Sequence, residues 1–86
     1  MISAAKAAQI IPMPGLRKRS VLLSGHATSI ALEPEFWAVL DQMAQAQALS
    51  LAALIGRIDE TRGVSGLASA CRLAALAFAK TSPPAA

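Results

Sequence analysis

The stretch TSIALEPEFWAVL, residues 28–40, decides the fold. Its beginning alternates: Thr28, Ile30 and Leu32 share one face of an extended chain, while Ala27, Ser29 and Ala31 share the other. Successive strand side chains point to opposite faces, so the pattern predicts a half-buried strand with small residues on its open side. Glu33, Pro34 and Glu35 then predict a helix start. Proline suits a first turn because the N–H it lacks has no partner there, and carboxylates suit the positive end of the helix dipole. Phe36, Leu40 and Met43 follow at i, i+4 and i+7, with Trp37 and Ala44 beside them, making one apolar stripe.

Downstream, QAQAL (residues 45–49) leads to Ser50, a good N-cap for a second helix. Leu51, Leu54, Ile55 and Ile58 give that helix one apolar face, and it should end near Arg62 and Gly63. A third helix is expected from about Leu67 to Lys80, stopped by Ser82, Pro83 and Pro84. Val64, Leu67, Cys71, Ala74 and Phe78 line one of its faces, and Leu73 and Leu76 lie on another. A helix apolar nearly all round should be buried or bound to a partner. Asp59 and Glu60 oppose the dipole at the end of the second helix, and Arg57 or Arg62 of a partner chain could compensate them.

Upstream, Ser24 to Ala27 separate the strand from a second β-like run, Ser20 to Leu23, which Arg17, Lys18 and Arg19 precede. Residues 1–15, with two prolines and a glycine, read as a flexible arm, residues 16–80 as one domain, and residues 81–86 as a disordered tail. Residues 1–28 carry Lys6, Arg17, Lys18 and Arg19 and no acid, a local charge of +4. Residues 29–86 carry four bases and five acids, a local −1, so the basic excess sits in the N-terminal third and points to an anionic partner there.

About 65 residues build only a small core, and domains of that size lean on disulfides, metals or association. Cys71 is the sole cysteine and His26 the sole histidine, so association is the expected route, in a chain that is 55% hydrophobic and 15% charged. No secretory signal is visible, and the apolar stretch Val64 to Ala79 is short and holds Arg72, which argues against a membrane span. A lone cysteine suits a reducing compartment, so the cytoplasm is expected. No glycine-rich phosphate loop, metal-ligand cluster or nucleophile–base pair suggests an enzyme, and no cofactor is expected. His26 reads as a turn residue, Glu33 and Glu35 as dipole partners, and Cys71 as packing.

Residues 18–40 (KRSVLLSGHATSIALEPEFWAVL) and 49–59 (LSLAALIGRID) resemble a bacterial subfamily of the ribbon-helix-helix DNA-binding proteins. That subfamily carries K-R-S-V, a G-H before the strand, T-S-I-x-L-E-P-E-F-W and L-S-L-x-A-L-I, and residues 66–73 (GLASACRL) are similar to its C-terminal segment. The resemblance implies a mainly α fold with one short strand, an intertwined homodimer, and an extra C-terminal helix. Two chains would pair their strands into an antiparallel ribbon for the major groove of double-stranded DNA. It further implies a dimer core of Ile30, Leu32, Phe36, Trp37, Leu40, Leu51, Leu54, Ile55 and Ile58. Ala27, Ser29 and Ala31 would face DNA, and the helix end at Ser50 would meet a phosphate. Arg17, Lys18 and Arg19 would touch the backbone, or else form a solvated flank. The subfamily often has a basic residue where this chain has Ala27, which leaves Ser29 as the one hydrogen-bonding group on that face.

Two functions compete: a dimeric DNA-binding transcription regulator of repressor type, and a protein-interaction or antitoxin-like module with little base readout. The alanines on the ribbon favour the second, with a protein partner at the C-terminal helix. The basic N-terminal third favours the first.

Overall fold

The computed structural model describes residues 15–81. The expected arm and tail therefore lie outside the described residues, apart from Gly15 and Thr81. Strand β1 (Arg17–Leu23) runs antiparallel to strand β2 (His26–Leu32), in register from Arg17 opposite Leu32 to Leu23 opposite His26. Ser24 and Gly25 join them, both at positive φ (53° and 82°). Two such residues make the type I′ turn, whose twist matches that of the strands it connects.

The expectation of one short strand is therefore corrected to two, paired within one chain. Pairing depends on the turn, and Ser24-Gly25 closes a hairpin that draws Arg17, Lys18 and Arg19 into β1. Three helices follow: α1 (Pro34–Ala46), α2 (Leu51–Thr61) and α3 (Leu67–Thr81). A strand ribbon, two helices and an added C-terminal helix is the expected architecture.

Helix α1 begins on the extended residue Glu33, whose carbonyl accepts from the N–H groups of Phe36 and Trp37. It ends without glycine. Ala48 takes φ 55°, its N–H donates to the Gln45 carbonyl at 3.1 Å, and the Leu49 N–H donates to the Ala44 carbonyl at 2.9 Å. This is the Schellman pattern with alanine in the left-handed position, where glycine is usual. The chain bends by 100° between α1 and α2. Helix α2 starts at Ser50, whose Oγ accepts from the Ala53 N–H at 3.0 Å, and Gly63 beyond its end has φ 63°.

One core joins the layers. Ile30 and Leu32 from β2, Trp37 and Leu40 from α1, Leu54, Ile55 and Ile58 from α2, and Cys71 and Ala75 from α3 are all buried. Phe36 and Leu51 are half-buried against it, as are Val21 and Leu23 of β1. Seven of the nine residues expected in a dimer core are thus buried within one chain, and Phe36 and Leu51 are partly so, with β1 and α3 closing the core from two sides. Val64 departs from expectation: it precedes α3 and is fully exposed, while Ala75 takes a buried place beside Cys71. Asp59 pairs with Arg62 at the end of its own helix, at 2.6 Å. Among the described residues no buried side-chain nitrogen or oxygen lacks a hydrogen bond, and no single helix is long and apolar enough to cross a membrane.

Candidate nucleic-acid interface

The hairpin has two unlike faces. Register places Arg17, Arg19, Val21 and Leu23 on the same side as Leu32, Ile30, Thr28 and His26. Val21, Leu23, Ile30 and Leu32 of that inner side pack onto the core. The outer side pairs Lys18 with Ala31, Ser20 with Ser29, and Leu22 with Ala27. Lys18, Ser20, Leu22, Ala27 and Ser29 are exposed and Ala31 is partly so. The surface is therefore low and narrow, with two hydroxyls facing each other at its centre and a lysine toward the open end.

The three expected DNA-facing positions of β2 thus stand together on one exposed face, and sequence reasoning missed Ser20 and Leu22 beside them. The signal for those two was the Ser24-Gly25 turn. Once a two-residue loop is recognised, each β2 position fixes its partner on β1. A two-residue turn also closes on a hydrogen-bonded pair, here Leu23 with His26, and such pairs alternate along an antiparallel ladder. The backbone groups of Ala27, Ser29 and Ala31 therefore point away from β1, along the free edge of β2.

The three basic residues are not equivalent. Lys18 lies on the outer face, whereas Arg17 and Arg19 lie on the inner side at the hairpin's open end. Trp37 organises that end: its indole N–H donates to the Arg17 carbonyl at 2.9 Å, and the Arg19 guanidinium lies 4.6 Å from its ring centre. Arg19 also pairs with Asp41 at 3.2 Å. Asp41, too, was missed, because the strand that carries Arg19 past α1 is a matter of tertiary pairing.

Just beyond Leu32, at the same open end of the hairpin, Glu33 accepts from Arg72 of α3 at 2.8 Å. That bond from Arg72 holds the Glu33 carboxyl below the usual carboxylate range. Arg72 also stands over the Phe36 ring at 5.9 Å. Cys71, beside it, is buried, and burial pushes its thiol up, which makes it a poor nucleophile. His26 is exposed at the hairpin turn, its carbonyl accepting from the Thr28 hydroxyl. Ser50 does cap α2, and helix geometry leaves the first N–H groups after it without intrahelical partners. Among the described residues no group of acidic, histidine or cysteine side chains could hold a metal ion.

The profile of the ribbon-helix-helix domain matches residues 16–79, from the residue before β1 almost to the end of α3. No curated protein and no solved structure matches the chain.

Proposed function

From the premise that the chain belongs to the ribbon-helix-helix family, we propose that it is a dimeric transcription regulator of repressor type that reads double-stranded DNA with its hairpin. The family is one of non-enzymatic DNA-binding proteins that generally form dimers. The observation that carries the reading is the exposed outer face of the hairpin, low at Ala27, Ser29 and Ala31 and bearing Lys18.

A second copy would add its β2 to the free β2 edge, giving a four-stranded sheet with the two β2 strands at its centre. Strands lie about 4.8 Å apart, so the outer strands would stand about 14 Å apart, against a major groove about 12 Å wide. The central pair enters and the outer pair rides over the groove walls. On this arrangement Ser29 meets base edges, the alanine methyls meet thymine methyls, and Lys18 reaches the phosphates. Arg17 and Arg19 stand behind β1 on the same wall, and the N–H groups after Ser50 take a further phosphate.

Titration of random-sequence duplex at two salt concentrations tests this. Replacing Arg17, Lys18 and Arg19 together by alanine should weaken binding to every duplex about equally. It should also flatten the plot of log affinity against log salt by about 0.9 for each phosphate that is no longer neutralised. Unchanged affinity and slope would make the basic segment a solvated flank. Light scattering should give about twice the 8.8 kDa chain mass.

The second reading, an antitoxin-like module that binds another protein, is favoured by one feature. Leu73 and Leu76 on α3 are 61% and 50% exposed. A chain that binds no duplex at low salt would give that reading the lead.

A further inference from the structure

We propose that the groove between β1 and α1 seats a backbone phosphate of duplex DNA, and that Asp41 holds Arg19 out of that contact by occupying its guanidinium in the phosphate's place. The proposal rests on the DNA-binding reading above and adds a residue that restrains it. The groove has a volume of about 460 Å³ and is lined by Arg17, Lys18, Arg19, Trp37 and Asp41, with Pro34 and Ala38. Three of these residues are cationic and Asp41 is the one acid.

Arg19 meets Asp41 with two nitrogens on two oxygens, Nη1 to Oδ1 at 3.2 Å and Nη2 to Oδ2 at 3.4 Å. A guanidinium presents the same fork to a carboxylate and to a phosphate, so the carboxylate occupies a geometry that a phosphate can take. The floor beneath it is fixed. Trp37 is 1% exposed, and its indole N–H is tied to the Arg17 carbonyl, so the ring under Arg19 is held from two sides. The lid is loose, because the Arg19 and Asp41 side chains remain 42% and 47% exposed, and exposed pairs are weak and screened by salt. Among the described residues neither Arg17 nor Lys18 has an acid within ion-pair distance, so the groove keeps positive charge while Asp41 holds Arg19. With the Asp41 charge removed, a duplex phosphate entering there would take the carboxylate's place and Arg19 would stack between it and the indole.

Asp41 on this view lowers affinity for any duplex and leaves base-edge contacts to discriminate among sequences. The test is a double-mutant cycle on random-sequence duplex at two salt concentrations. Asp41→Asn should bind about twofold to fivefold more tightly per chain, the worth of an exposed pair, and steepen the salt slope by about 0.9 per chain. Asp41→Glu should bind like wild type, and in an Arg19→Ala background Asp41→Asn should change nothing. Glu60→Gln, an exposed acid outside the groove, controls for net charge.

If Asp41→Asn gains no more than Glu60→Gln, or gains equally without Arg19, the restraint is overturned while DNA binding stands. A wild-type chain with no affinity for any duplex overturns the functional reading and this inference together. Inorganic phosphate, followed by Trp37 fluorescence, should give no saturable change. Saturation that duplex does not compete away would overturn the assignment to DNA.

Discussion

The two faces of the hairpin differ in nearly everything except backbone. The inner face ends in Leu32 and Ile30, 0% and 4% exposed, while residues one position away, Ala31 and Ser29, meet solvent. A period of two lets adjacent residues serve unrelated ends: one set is chosen by the core and the other is free to be chosen by a partner. The inner face needs bulk, and the outer face is low along β2, at Ala27, Ser29 and Ala31.

The largest effect should come from the residue that ties the inner face to the helices. Trp37→Ala should cost about 3–5 kcal/mol in denaturant unfolding, as large buried truncations do. Trp37→Phe keeps a buried ring but loses part of the packing and the bond to the Arg17 carbonyl, so it should cost less, about 1–3 kcal/mol. If the two variants fall equally far, the bond and not the packing is decisive.

Next is the contrast between neighbours. Leu32→Ala should cost about 2–5 kcal/mol, whereas Ser29→Ala on the outer face should stay within about 0.5 kcal/mol while altering DNA affinity. Equal costs would mean that the outer face is also part of the fold.

Ser50 tests whether a helix end belongs with the outer face. Ser50→Ala should lose about 1 kcal/mol from the missing cap, and Ser50→Asp should keep it. The aspartate variant should unfold like wild type yet bind duplex far more weakly, since it sets a negative charge against a phosphate. Unimpaired binding would remove this helix end from the interface.

The smallest effect is at the junction of β2 and α1. Because Arg72 lowers the Glu33 pKa in the folded chain, the pair stabilises the fold above the ordinary value of 4.5. That contribution fades as pH falls from there through the lowered folded value. Thermal unfolding of Glu33→Gln followed into acid should therefore decline less steeply than wild type. A parallel decline would show that the pair contributes nothing to acid stability.

The helices were legible because their signals are local: Pro34 starts one, Ser50 caps another, and the apolar spacing of Leu51, Leu54, Ile55 and Ile58 orients it. Also legible was the alternation of β2, which set Ala27, Ser29 and Ala31 on one open face. Not legible was what lies across from them. The run at Ser20 to Leu23 was visible, but charge concealed that the strand starts at Arg17, and pairing rested on two turn residues. Ala48 was equally silent, since alanine carries no preference for the left-handed conformation it adopts. Val64 extended an apolar pattern by sequence that Gly63, Ser65 and Gly66 interrupt in space.

The Ser24-Gly25 turn has a consequence for the order in which structure forms. Hairpins joined by so short a loop close on the microsecond scale, without waiting for distant segments. Fixing a residue's backbone costs about 1–2 kcal/mol in entropy, and here β1 and the chain's own core meet that cost for β2. A second strand arriving at the open edge of β2 would find its template already ordered. The encounter would then be a docking of finished parts, limited by concentration and not by folding.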